Sequence, residues 1–157
     1  MSESIQDEVR REVVIRASKE RVYAALTQVE LFTKWWPKAI EGTLEPGQKP
    51  LLDFGEAGKC RFFIVAAEPH HYFAYRWAQG AVSPEETTAD PLTLPNTLVE
   101  FRLEEVKGGT RVTVTESGLS KLPEKTRKQL ESMGGLAGVT HGWREILKLL
   151  ERNFQNP

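Results

Sequence analysis

What this chain lacks narrows it first. Of its 157 residues only one, Cys60, is a cysteine, so no internal disulfide can form and a reducing compartment, the cytoplasm, is the expectation. No apolar run reaches the roughly 18 residues that a membrane-spanning helix needs, and the polar opening Met1 to Glu8 has no apolar signal core. Neither charge sign dominates: 21 basic and 22 acidic side chains are interspersed, and no basic stripe marks a nucleic-acid binder. Histidine is scarce. His70 and His71 are adjacent, so in a strand they point to opposite faces and cannot share one metal, and His141 lies far along the chain. No paired-cysteine or His-Glu-x-x-His spacing occurs, so no metal site is expected. Also missing are a glycine-rich phosphate loop, a Gly-x-Ser-x-Gly elbow and any evident nucleophile–base pair. No cofactor and no catalytic residue is therefore assigned.

What is present is a succession of short patterned segments, compatible with one domain over residues 1–157. A chain of this length buries roughly 70% of its unfolded surface and needs no staples. Val9 to Arg16 is rich in β-branched residues and reads as a strand. Ser18 is the candidate N-cap of a short helix carrying Val22, Ala25, Leu26 and Val29 at helical spacing. A further turn or two over Glu30 to Trp36 ends at Pro37. Short strands follow at Ile40 to Leu44, Leu51 to Gly55, Lys59 to Ala67 and His71 to Trp77. Thr97 to Val106 alternates, with Val99, Phe101 and Leu103 on one face and Glu100, Arg102 and Glu104 on the other; Lys107-Gly108-Gly109 is a hairpin turn, and Thr110 to Glu116 is the return strand. Between them Ala78 to Pro95 shows no periodicity; it reads as a long, poorly protected loop beside the entrance of any cavity. Glycines at 134, 135 and 138 weaken helix locally. From Val139 a stripe of Trp143, Ile146, Leu147, Leu150 and Phe154 predicts an unbroken helix to Phe154. Seven antiparallel strands and one long final helix predict an α+β fold, with the helix lying on the concave face of the sheet.

These segments, in this order, resemble the START-related, birch-pollen-allergen-like (SRPBCC) superfamily with its helix-grip fold. More narrowly they are similar to the branch named for the C-terminal domain of the activator of the heat-shock-protein-ninety ATPase. The likeness rests on Ile15 to Thr27, the pair Trp35-Trp36, Tyr75-Arg76-Trp77, Gly108 to Leu119 and Gly142-Trp143, and it runs from about Val9 to Phe154. Two departures stand out: Ser18 where the opening motif often has proline, and the long Ala78 to Pro95 loop. The resemblance implies an internal cavity that binds lipids, hormones or polyketides, and in some members cyclises or hydrates aromatic substrates or serves in stress and resistance. The co-chaperone activity of the eukaryotic relatives also depends on a separate N-terminal domain, so the resemblance of these segments does not imply that activity.

The expected ligand-contacting residues are Trp36, Phe62, Tyr75, Trp77, Phe101, Glu116 and Trp143. Phe73, Tyr75 and Trp77 share one strand face, as do Val99, Phe101 and Leu103 on another. Either they form plain core or they line a pocket of a few hundred Å³ in which the Tyr75 hydroxyl orients a ligand. Trp143 closes the space from the helix side or is a packing anchor. Glu116 is in phase with inward-facing Val112 and Val114, so it lies at the rim of the pocket or is paired with a cation such as Arg111 or Arg144. Three functions follow in order of preference. The first is non-catalytic binding of a hydrophobic or aromatic small molecule. The second is a cyclase, hydratase or hydrolase acting on such a ligand through Glu116 or Tyr75. The third is a protein-binding module with a chaperone or another protein as partner. The near-zero net charge leaves a homodimer open.

Overall fold

The computed structural model describes residues 7–80 and 83–155. Among these residues seven strands form one antiparallel sheet: β1 (Glu8–Ile15), β2 (Ala39–Glu41), β3 (Leu51–Asp53), β4 (Lys59–Glu68), β5 (Tyr72–Ala78), β6 (Asn96–Val106) and β7 (Gly109–Ser117). Their spatial order is β1-β7-β6-β5-β4-β3-β2. All consecutive strands from β2 to β7 are neighbours. The exception is β1, which lies at the opposite edge from β2 and pairs with β7 from Glu8↔Ser117 to Ile15↔Thr110. Helices α1 (Lys19–Thr27) and α2 (Val29–Phe32) carry the chain from one edge to the other.

Local chemistry explains the starts and turns. The Ser18 hydroxyl accepts from the Arg21 N–H at 3.3 Å and caps α1, whose Val22, Ala25 and Leu26 are buried. The indole N–H of Trp35 donates to the Ala25 carbonyl at 2.9 Å and fastens the tryptophan pair to α1. The β6–β7 hairpin closes with Lys107 and Gly108 between the paired Val106 and Gly109. At Gly109, φ is +151° and a Cβ would stand 2.0 Å from the Ile15 carbonyl oxygen, so the close approach of β1 demands glycine.

The predicted final helix is present and begins one turn early, as α5 (Gly135–Asn153), after α4 (Glu124–Ser132). Gly134, at φ +102°, turns the chain between them. Tertiary packing outweighs the glycine penalty of roughly 1 kcal/mol each at Gly138 and Gly142. Trp143, Leu147 and Leu150 are buried, and Val139, Ile146 and Phe154 pack against the same core. With α5 held in the curved sheet, the protein has the α+β helix-grip architecture.

The Ala78 to Pro95 segment differs from expectation. It contains a short helix, α3 (Pro84–Thr87), with a complete capping box between Ser83 and Glu86, and a 3-10 turn at Pro91–Thr93 capped by Asp90. Arg61 on β4 holds it down, donating from Nε to the Thr88 carbonyl at 2.9 Å, and Lys49 pairs with Asp90 at 2.5 Å. Residues 81–82 within it lie outside the described residues.

Candidate functional site

The inward faces of the central strands bring all seven expected site residues into one cluster. Register sets Tyr75 opposite Val99, Phe73 opposite Phe101 and Trp77 opposite Thr97; on the other side Val99 faces Glu116. The Phe62 and Tyr75 rings stack 3.8 Å apart and nearly parallel. Trp36 packs against Trp77 and Trp143 at centroid distances of 6.0 and 5.8 Å. Trp143 reaches down from α5 to Trp77 at 5.6 Å and Phe101 at 5.8 Å.

These separations are those of packed rings. The expected pocket among Trp77, Tyr75, Phe101 and Trp143 is thus filled by the side chains themselves. Tyr75 is also 5.6 Å from Trp77 and 6.4 Å from Phe101, and Phe62, Tyr75 and Phe101 are sealed from solvent.

Glu116 is the polar centre of this apolar mass. It is only 2% exposed, so it sits inside the core and not at a rim. Neither Arg111 nor Arg144 is its partner. Its Oε2 accepts from the Trp77 indole N–H at 2.8 Å, the Gln79 amide at 2.8 Å and the Thr97 hydroxyl at 2.5 Å. Its Oε1 accepts from the Trp143 indole N–H at 2.8 Å. Four donors, from β5, the residue just after it, β6 and α5, satisfy both carboxylate oxygens, and that is what makes its burial tolerable. Gln79 and Thr97 went unassigned in the sequence. Gln79 is two residues after Trp77 and hence on the same face, a signal that only the role of Glu116 makes readable.

Tyr75 contrasts with it. Its hydroxyl is buried with no hydrogen-bond partner. Burial, then the nearby Glu116 and Cys60, push its pKa well above the ordinary tyrosine range. Burial likewise pushes the Cys60 thiol up to about 12, so at neutral pH it is protonated and a poor nucleophile. Among the described residues no group of three or more His, Cys, Asp or Glu side chains is placed to hold a metal, and no helix is long and apolar enough to cross a membrane.

Open space begins on the outer side of Trp77. A cleft of about 410 Å³ is lined by Trp36, Phe54, Ala57, Trp77 and Leu149. A second, of about 450 Å³, shares Phe54, Ala57 and Trp77 and adds Cys60, Arg61, Gln79, Glu86 and Thr87 among its walls. Together they form a two-sided recess, aromatic on one flank and polar on the other. The Ala78–Pro95 segment lines this second cleft, through Glu86, Thr87 and Ala89 among others, and not an entrance to the filled interior. Trp77 and Gln79 each meet the recess on one side and are held by Glu116 on the other.

No curated protein matches the sequence. Among solved structures, the chain is similar to a protein from Mesorhizobium loti, at 21% identity and TM-score 0.70, covering 94% of this chain and 96% of that one. A second is the Aha1 dimer from Colwellia psychrerythraea, at 23% identity and TM-score 0.70, covering 96% and 98%. A third is DynU16, a protein of the dynemicin biosynthetic locus, at 20% identity and TM-score 0.74. That match covers 97% of this chain but 48% of the other. These likenesses establish the shared fold. The sequence pattern of the family described as "Activator of Hsp90 ATPase homolog 1-like protein" matches residues 16–155. The chain belongs to that family.

Proposed function

We propose that the protein binds a small aromatic or amphiphilic molecule in the recess outside Trp77, with its flat apolar part against Trp36, Phe54 and Trp77. The single observation behind this reading is the double use of Trp77: one side forms the wall shared by both clefts, while its indole N–H is fixed by buried Glu116. A rigid aromatic floor loses little side-chain freedom on binding. Polar groups on the other flank, Gln79 and Arg61, supply direction. The volumes lie within the usual range of about 300–1,000 Å³ for small-molecule sites. The reading favours binding over catalysis, because Cys60 and Tyr75 hold their protons and the Glu116 oxygens are already occupied by donors. The reducing cytoplasm, where a lone cysteine stays free, is the proposed location.

2-Naphthol is a suitable probe. It should quench tryptophan fluorescence saturably and raise Tm, since a ligand that binds only the folded state stabilises it by mass action. Leu149 is 38% exposed at the lip of the recess, so Leu149→Lys should leave the fold intact and weaken binding by about tenfold or more. Unchanged affinity in that variant would remove the recess from consideration.

A protein partner is the second reading, favoured by the family description, which names activation of a chaperone ATPase, and by exposed Leu149 beside the aromatic recess. On that reading Leu149→Lys disrupts a protein complex and leaves 2-naphthol binding unaltered.

A further inference from the structure

Gln79 walls the Trp77 recess with the orientation of its amide already decided. The two limbs of a carboxamide are told apart by their partners: the NH₂ donates and the C=O accepts. On the core side Nε2 lies 2.8 Å from Glu116 Oε2 and 2.9 Å from the Thr97 hydroxyl oxygen. The indole N–H groups of Trp77 and Trp143, which can only donate, each hold one Glu116 oxygen, so that carboxylate stands as an acceptor. The Thr97 hydroxyl gives its proton to Oε2 at 2.5 Å and keeps its lone pairs for Gln79. Both contacts therefore require the NH₂ limb, and both of its hydrogens are used.

The oxygen limb is left over. Among the described residues Gln79 Oε1 enters no hydrogen bond. It is not shut in either, because the buried side-chain polar atoms without a partner are the Tyr75 hydroxyl and Arg127 Nε. Oε1 is thus an accessible acceptor on a half-buried side chain that lines the cleft of about 450 Å³. Donation of the NH₂ to a carboxylate polarises the amide and strengthens its oxygen as an acceptor. Arg61 on the same flank spends Nε and Nη1 on the Thr88 and Lys49 carbonyls, at 2.9 and 2.6 Å.

Taking the Trp77 recess as the binding site, we infer that it selects aromatic molecules carrying an O–H or N–H donor, phenols and arylamines above all, and that Gln79 makes the selection. With the ring against Trp77, the donor of the ligand points at Gln79 Oε1. Glu116 and Thr97 are positioning residues, because they prevent the amide from turning its NH₂ outward. An aryl ether of similar shape brings an acceptor to an acceptor and leaves the amide oxygen desolvated and unpaired, the costlier side of a lost hydrogen bond.

The affinities of 2-naphthol and 2-methoxynaphthalene, read by tryptophan quenching, test this in wild type and in Gln79→Met, which keeps the side-chain length and loses both limbs. Wild type should bind the phenol about three- to tenfold tighter than the ether. In Gln79→Met that ratio should fall by about the same factor, through loss of 2-naphthol affinity alone. An unchanged ratio overturns selection by Gln79 and leaves the recess standing, provided that Leu149→Lys weakens both ligands. If Leu149→Lys weakens neither, the recess falls and the selection with it. Should Gln79→Met fail to fold, wild type decides by NMR: the Gln79 Nε2 hydrogens should exchange at least about tenfold slower than those of free glutamine. Exchange at the free rate, or an ether bound as tightly as the phenol, overturns the selection.

Discussion

The indole nitrogens of Trp77 on β5 and Trp143 on α5 end on the same carboxylate, each 2.8 Å from a different oxygen of Glu116. Sheet and helix are therefore joined through a polar clasp inside an aromatic core, and geometry there is fixed by direction as well as by packing.

Glu116→Gln tests the clasp. The amide can keep one oxygen toward Trp77, Gln79 and Thr97, but its NH₂ then meets the Trp143 N–H, donor against donor. A loss of about 1–3 kcal/mol is expected, with Tm lower by several degrees. In a Trp143→Phe background the same change should cost less, because the opposing donor is gone. Equal costs in both backgrounds would show that Trp143 is not held this way.

Tyr75→Phe should behave in the opposite sense. The hydroxyl it removes is buried and unpartnered, so urea unfolding should find the variant as stable as wild type or up to about 1 kcal/mol more so. Destabilisation beyond about 1 kcal/mol would reveal a partner for the hydroxyl.

Leu147 is buried on the face of α5 that meets the sheet. Leu147→Ala should cost about 2–5 kcal/mol. A measured loss below about 0.5 kcal/mol would be incompatible with that face being buried.

Cys60, with its thiol at about 12, should react with iodoacetamide at pH 8 roughly a hundredfold or more slower than free cysteine, because the thiolate is the nucleophile. Ordinary reactivity would mean that the thiol is far less shielded than the structure shows.

Asp7 gives a pH dependence of defined sign. Its carboxyl is held below the ordinary value of 3.8, first by the Ser120 hydroxyl and also by the Gly118 and Ser120 backbone N–H groups. A depressed carboxylate contributes stability above its unfolded pKa, and that contribution is lost as pH falls through the folded value, here below about pH 4. Ser120→Ala should raise the Asp7 midpoint in an NMR titration; an unmoved midpoint would exclude the hydroxyl as its cause.

Periodicity carried most of the fold. The Val99–Phe101–Leu103 alternation in β6 and the Trp143–Leu147–Leu150 stripe in α5 report burial directly, since each face has only one environment. The four-residue extension of α5 through Gly135 and Gly138 was illegible, because propensity argues against it and tertiary packing overrides propensity. Order within the Ala78–Pro95 segment has a local signature despite its lack of periodicity: Ser83 three residues before Glu86, with proline at 84, is a capping box. At the site, the aromatic set converges as its strand phases require. Whether rings enclose space or fill it depends on rotamers and sheet curvature, and these leave no trace in spacing. The four donors on Glu116 come from β5 and the residue after it, from β6 and from α5, so no local pattern announces them.

Pairing of Glu8 with Ser117 has a consequence in time. Strand β1 leaves a ribosome long before β7, and it gains its neighbour in the sheet only when β7 follows. Until then its β-branched residues stay without cover, and no amount of local order in α1 relieves this. Such long-range closure slows folding and leaves an apolar edge open to other chains meanwhile. Arg10, Arg11 and Glu12 in the middle of that strand are the kind of charged punctuation that keeps a waiting edge from pairing with the wrong partner.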